Sequence, residues 1–300
     1  MPSLSAIVPA TNAPTTLAEC LTAIRGADEP PEEVIVVEEG GGPADARNRG
    51  AAQASSTLLV FVDADVVVHR DAFVRIRRAF ERDSALAALF GSYDDDPADP
   101  GTVSSFRNLL HHYVHQESAG SASTFWAGLG AVRRDVFAAA GGFDAERYPA
   151  PAIEDIELGT RLAAAGCRIE LDPLVQGTHL KAWTLRRMVE ADFWDRGVPW
   201  VELLLRQGRS SSALNLGWRH RLSALAALGA AGAMLRGRLR RTLLALGVLV
   251  ALNPAFYGLL ARRLGGVQAV AGVWLHVIHH VVGALSVPVG IVEYLRRPAG

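Results

Sequence analysis

Two carboxylates one residue apart, Asp63 and Asp65, stand where the apolar run Leu58 to Val62 gives out, in Phe61-Val62-Asp63-Ala64-Asp65-Val66. Alternate positions of an extended chain point to the same face, so residues 63 and 65 can serve one site. A hard divalent cation carrying diphosphate oxygens needs such carboxylates, although short acidic pairs also end strands as caps and turns. A second acidic group, Glu154-Asp155-Ile156-Glu157, opens a segment with helical character. Acidic residues in a first helical turn are stabilised by the helix dipole whatever else they do. Facing a cleft, Glu154 or Asp155 is also a candidate general base for an attacking hydroxyl, with Glu157 orienting or solvated. The third group is His179-Leu180-Lys181, followed by Arg186 and Arg187. Its imidazole can complete a metal site with Asp65, and Lys181 can offset charge on a departing diphosphate. A single histidine is more often an ordinary core or surface residue; its place after two acidic motifs is what singles out His179.

These residues need elements to position them. Leu4 to Val8, Glu33 to Val37 and Leu58 to Val62 read as short buried strands, with helices over 15–25 and 45–54 between them. Strands alternating with helices predict a mostly parallel α/β sheet, with a ligand crevice beyond the strands' carboxyl ends, where Pro9, Glu38 and Asp63 fall. Further on, a helix over 71–81 capped by Asp71, a strand over 85–90, a helix over 105–117 and a glycine-interrupted strand over 124–132 are expected. Short helices over 134–140 and 154–165 follow, each closed by glycine. The acidic Tyr93-Asp94-Asp95-Asp96-Pro97 reads as a flexible polar loop rather than a second metal site.

In this order the motifs resemble the inverting family 2 glycosyltransferases with a GT-A fold, over roughly residues 3–205. Ser5-Ala6-Ile7-Val8-Pro9-Ala10 and Glu33 to Gly40 are similar to the first two nucleotide-contacting strands, with Glu38 and Glu39 where aspartates are usual. Gly42-Pro43-Ala44-Asp45-Ala46-Arg47-Asn48-Arg49-Gly50 resembles the helix start before the metal motif. The resemblance implies Pro9, Glu38, Arg47, Asn48, Asp63 and Lys181 at the donor, and Asp65 with His179 at Mg²⁺ or Mn²⁺. It also implies Trp126 and Gly128, in Phe125-Trp126-Ala127-Gly128, on the acceptor side, and Glu154-Asp155 as the catalytic-base pair. The implied reaction passes a sugar, with inversion, from a nucleotide diphosphate-sugar to an acceptor. One departure is clear: only Gly41 and Gly42 bridge the second strand and the Pro43-Ala44 stretch, so a helix and an edge strand of the nucleotide pocket are missing.

Formal net charge is -1, which gives no strongly basic surface for nucleic acid. Cys20 and Cys167, the 2 cysteines, lack metal spacing and read as buried free thiols, and the amino terminus shows no leader-like stretch. Acidic residues almost vanish after position 203, and Thr242 to Ala261 and Gly265 to Val292 carry no charge apart from histidines, each long enough to span a bilayer. The expected organisation is therefore a catalytic domain over 1–205, an amphipathic or interfacial helical linker over 206–241 and a two-span transmembrane hairpin over 242–296. Arginines at 219, 221, 236, 238, 240, 241, 296 and 297 favour a multi-pass protein of the inner or another cytoplasmic membrane with its catalytic domain in the cytoplasm, against Arg262 and Arg263 in the outer turn. A lipid-linked acceptor, including a polyprenyl phosphate, suits that location. Competing readings are a catalytically silent nucleotide-sugar-binding membrane protein and a sugar nucleotidyltransferase; against the latter, no glycine-rich phosphate loop follows the first strand.

Overall fold

A computed structural model describes residues 1–208 and 217–296; residues 209–216 of the expected linker, and Arg297, lie outside the described residues. The chain divides into two compact units, one of Met1–Ala98 with Val114–Lys181, the other of Asp99–Tyr113 with Ala182–Gly300. The division at Lys181 precedes the composition shift near 205, because a stretch of mixed composition folds with the apolar tail.

In the first unit, β1 (Leu4–Pro9), β2 (Glu33–Val37), β3 (Leu58–Val62), β4 (Val66–Val68), β5 (Leu86–Tyr93), β6 (Gly120–Ala122), β7 (Leu129–Arg133) and β8 (Arg168–His179) form one sheet. Its order is β2-β1-β3-β7-β5-β8-β4, with β6 pairing β8. β1 pairs β2 and β3 in parallel and β5 pairs β8 in parallel, whereas β3–β7, β5–β7, β4–β8 and β6–β8 are antiparallel, so the sheet is mixed. Helices α1 (Leu17–Arg25), α2 (Pro43–Gln53), α3 (Ala72–Arg82), α5 (Arg134–Ala139) and α6 (Glu154–Ala164) follow the strands, while most of α4 (Thr102–Glu117) belongs to the second unit. Side chains of β3 alternate cleanly between the two faces. Leu58, Val60 and Val62 join Cys20, Ile24, Phe73 and Ile76 on one side, while Leu59 and Phe61 join Phe125, Phe137, Phe143 and Leu158 on the other. Burial on both faces is why the strand reads as an unbroken apolar run.

Several expectations are corrected. Asp71 makes no capping hydrogen bond to α3; its carboxylate accepts from Arg75 Nε at 2.6 Å. Residues 124–128 are not strand, because Gly128 and Gly130 let the Trp126 and Phe125 side chains fold over the chain at positions where a Cβ would lie 2.3 Å and 2.6 Å from their rings. Asp94 does not sit in a flexible loop: it is buried, accepts from the Thr178 hydroxyl and lies 3.0 Å from His69 Nε2. β8 went unanticipated, though Ile169, Leu171 and Val175 alternate with polar residues along it.

The second unit carries α7 (Leu185–Glu190), a π-helical turn (Ala191–Gly197), α8 (Val198–Gln207), α9 (Trp218–Leu235), α10 (Leu239–Leu252), α11 (Pro254–Leu264) and α12 (Gly266–Arg296). The uncharged stretch 242–261 is not one straight span: α10 and α11 meet at an 89° bend. Pro254 has no N–H to continue the helix, and Asn253 instead donates to Ser223 Oγ at 2.8 Å and Leu249 O at 2.9 Å. Among the described residues α12, at 31 residues, is the one helix long and apolar enough by itself to cross a membrane.

Gly159 decides how closely α6 approaches the chain before β7, since a Cβ there would lie 2.1 Å from Phe125 N. In an exposed helix Gly→Ala stabilises by about 1 kcal/mol. Here the sign reverses: Gly159→Ala is expected to cost about 1–3 kcal/mol through overpacking, read as a lower midpoint in urea unfolding.

Candidate active site

The candidate site is built where β3 ends. Asp63 N donates to Gly128 O at 3.0 Å and Val66 N to Asp63 O at 3.0 Å, so residues 63–66 form a tight turn into β4. From α1, Cys20 Sγ reaches Asp63 O at 3.5 Å, and just before that helix Thr16 Oγ1 donates to Ala64 O at 2.8 Å. Burial, with the charges of Asp63 and Asp65, pushes the Cys20 thiol up to about 12, so it is an inert packing residue. Cys167 is a free thiol too, but half-buried.

β4 then sets Val66 opposite His179 of β8, and Leu180 N donates to Asp65 O at 2.8 Å. This pairing brings His179 Nε2 to 3.5 Å from Asp65 Oδ2. The Tyr93 ring stacks on the His179 imidazole, centroids 4.2 Å apart and planes 10° apart, and meets Trp126 edge to face at 4.9 Å. Desolvation works to raise the Asp65 pKa, but the hydrogen bond and charge of His179, with the charge of Lys181, hold it below the ordinary carboxylate value. Lys181, exposed, is the only lysine among the chain's 30 basic residues.

Arg47, 5 % exposed, lies between the two acidic motifs. One guanidinium nitrogen donates to Asp63 Oδ1 at 2.6 Å, another to Glu154 Oε1 at 2.8 Å, and the group sits 5.6 Å over the Phe143 ring. Glu154 Oε2 accepts from Ala152 N at 3.0 Å, so that carboxylate is engaged through both oxygens. Asp155 differs. It accepts main-chain N–H groups from Ala127 at 3.0 Å and Ile156 at 2.8 Å, and no cation among the described residues pairs with it directly. Desolvation first, and then the neighbouring charge of Glu154, push its pKa up to about 7. Desolvation also raises Asp63 and outweighs the opposing charge of Arg47, with smaller contributions from the charges of Asp65 and Glu154.

The remaining expected residues are placed as follows. Asn48 spends its amide on Phe143, accepting from its N–H at 2.9 Å and donating to its C=O at 2.8 Å, which holds α2 to the segment after Gly142. Pro9 and Val37 are register partners, so Pro9, the exposed Glu38 and Asp63 all lie at the carboxyl ends of adjacent strands, and among the described residues no hydrogen bond or ion pair joins Pro9 or Glu38 to the carboxylates. Trp126 is half-buried, and Gly128 is required beneath its indole. Gly42, at φ +118° with Pro149 O 2.3 Å from where a Cβ would be, opens α2 directly after β2 with no element between, and β2 is the end strand of the sheet. Sequence reasoning missed Tyr93, which closes β5 three residues beyond the apolar run that ends at Phe90.

Asp65 and His179 supply one oxygen and one nitrogen donor, and among the described residues no group of three His, Cys, Asp or Glu is set to hold an ion. The pair suits a divalent cation that keeps other positions for diphosphate oxygens and water, as Mg²⁺ and Mn²⁺ do.

Comparison with known proteins agrees with this geometry. Residues 38–140, from the end of β2 through α5, match the family model "Glycosyl transferase family 2". The structure is similar to the mannosyltransferase PcManGT from Pyrobaculum calidifontis, solved in complex with GDP-Man and Mn²⁺: TM-score 0.58 at 18% identity, covering 96% of this chain and 87% of that one. Looser likenesses are Staphylococcus aureus TarS 1-349 (TM-score 0.46, 14% identity, 94% and 90% covered) and GalNAc-T7 with UDP, GalNAc and Mn²⁺ (0.47, 12%, 68% and 48%). No curated protein matches in sequence. The fold is thus GT-A, and residues 38–140 are similar to the family 2 glycosyltransferase model.

Because Arg47 neutralises two carboxylates, Arg47→Met is expected to destabilise the fold by about 3 kcal/mol through uncompensated charge. Adding Glu154→Leu should recover part of that loss, both read from urea midpoints.

Proposed function

We propose that the protein is a membrane-associated, metal-dependent glycosyltransferase that moves a sugar from a nucleotide diphosphate-sugar to an acceptor hydroxyl with inversion. The observation that carries the mechanism is the contrast within the acidic pair: Glu154 is locked to Arg47, while Asp155 is held only by main-chain N–H groups and has a pKa near neutrality. A base works best with a pKa near the working pH, so Asp155 accepts the acceptor proton as the glycosidic bond forms. Glu154, through Arg47, fixes the position of Asp63 rather than taking part in proton transfer.

Pro9, Glu38 and Asp63, at the carboxyl ends of β1, β2 and β3, receive the nucleoside end of the donor, with Asp63 held by Arg47. Asn48 positions the 142–143 segment against α2. Asp65 and His179 would hold Mg²⁺ or Mn²⁺, which when bound supplies Lewis-acid neutralisation of the diphosphate. Lys181, whose charge already acts on Asp65, adds a cation for the departing nucleotide. Trp126, supported by Tyr93, offers a flat apolar face to the acceptor. α12 serves as a membrane span and α10–α11 as a bent or re-entrant one, with Arg236, Arg238, Arg240 and Arg241 placed for anionic headgroups, which makes a lipid-linked acceptor the natural class.

Titration calorimetry with UDP, GDP, CDP and dTDP, each with and without Mn²⁺, is expected to show metal-dependent binding of one nucleotide that is lost in Asp65→Ala; binding of none would leave a silent domain. Asp155→Asn is expected to lower kcat by about 10²–10⁴-fold. The base acts deprotonated, so wild-type turnover should fall as pH drops through about 7, and that limb should vanish in Asp155→Asn. If the acceptor is already anionic, as a polyprenyl phosphate is, no base is needed and Asp155→Asn turns over normally, which would sink the hydroxyl mechanism.

A further inference from the structure

Within the second unit four of the chain's 9 histidines cluster: His220 on α9, and His276, His279 and His280 on α12. The α12 residues stand at i, i+3 and i+4, one face of the helix. Ring centroids lie 4.4 Å apart for His276 and His280, 4.5 Å for His220 and His280, and 5.5 Å for His279 and His280. Imidazoles in an otherwise apolar helix need a reason to be there.

Two of the four have the outer partner that metal-ligating imidazoles use to fix tautomer and ring orientation. His279 Nδ1 lies 2.8 Å from Asp192 Oδ2, and Asp192, itself buried, is held by Arg107 at 2.6 Å. His276 Nδ1 lies 2.8 Å from the Tyr257 hydroxyl. In both rings Nε2 remains as the donor atom. Asp192 belongs to the π-helical turn Ala191–Gly197, a distortion common at functional sites.

His280 is the telling member. It is 3% exposed, and neither of its ring nitrogens has a hydrogen-bond partner. Leaving a buried polar group unsatisfied is unfavourable, and a leucine would fill the same place without that cost. The proposed transfer chemistry uses none of these residues.

We propose that His220, His276, His279 and His280 form a site for a borderline divalent transition metal such as Zn²⁺ or Co²⁺ that ties α9 to α12. Imidazole nitrogens favour these ions, whereas Mg²⁺ and Mn²⁺ favour carboxylate oxygen, so this site is chemically separate from Asp65 and His179. As the rings stand they lie side by side, and no three donors among the described residues are set around one point. Nitrogens on one ion stand at most about 4 Å apart, so binding requires the rings to converge by rotation about their side-chain torsions.

The test uses tag-free, full-length, chelator-stripped protein in an Asp65→Ala background, which removes the other ion site, titrated with Co²⁺. One equivalent should bind with the visible absorption of a nitrogen-ligated ion and raise the thermal midpoint. His280→Leu should fold with a midpoint at least equal to its parent's without Co²⁺ and lose both the absorption and the rise. Tyr257→Phe, which removes only the orienting partner, should weaken Co²⁺ binding roughly tenfold, and it carries the test if the leucine variant does not fold. Absence of any Co²⁺ band in the Asp65→Ala parent, or a His280→Leu variant that responds to Co²⁺ as its parent does, overturns the proposal.

Discussion

The Arg47 guanidinium sits out of water between Asp63, at the end of β3, and Glu154, at the start of α6, two carboxylates contributed by distant parts of the chain. A desolvated cation must be paired, and pairing it twice fixes α2, the β3 turn and α6 against one another. The site inherits its electrostatics from that arrangement. With Glu154 consumed, Asp155 is left without a direct cation among the described residues, and desolvation first, then the charge of Glu154, raises its pKa. One buried ion pair thus divides two adjacent acids into a structural one and a chemical one.

Glycines make that closeness possible. Gly50 lets α2 lie on β1, where a Cβ would be 2.4 Å from an Ile7 methyl, and Gly159 lets α6 reach the chain at Thr124 and Phe125. Both approaches bring carboxylate-bearing or carboxylate-pairing helices to the carboxyl ends of β1 and β3, the crevice in which α/β sheets bind ligands. On the other flank the short β4 returns the chain from Asp65 along β8, so that Asp65 and His179 become neighbours through main-chain pairing rather than through side-chain packing.

The second unit follows different rules. Its exposed surface is rich in large apolar side chains such as Leu225, Leu235, Leu244 and Trp274, while its interior holds Asp192, Arg107, His276 and His280. Polar groups inside with apolar groups outside is the arrangement that the proposed membrane association would require, since charged side chains there must find partners within the protein.

By itself the sequence determined the strands β1, β2 and β3 with the helices between them, the Asp63 to Asp65 motif at the crevice, and the acidic pair at the head of α6. Each is a local pattern of apolar runs, turn residues and spacing, so no distant contact was needed to read it. The place of His179 after two acidic motifs singled it out, and the resemblance carried by those motifs added Trp126. Only the tertiary structure decided that Arg47 joins Asp63 to Glu154, that Asn48 clasps Phe143, and that Tyr93 stacks on His179, because these depend on which distant segments meet. It also decided the antiparallel half of the sheet and the bend at Asn253. Strand direction and helix bending are set by what packs alongside, and an uncharged run such as 242–261 looks the same in sequence whether the helix goes straight or turns.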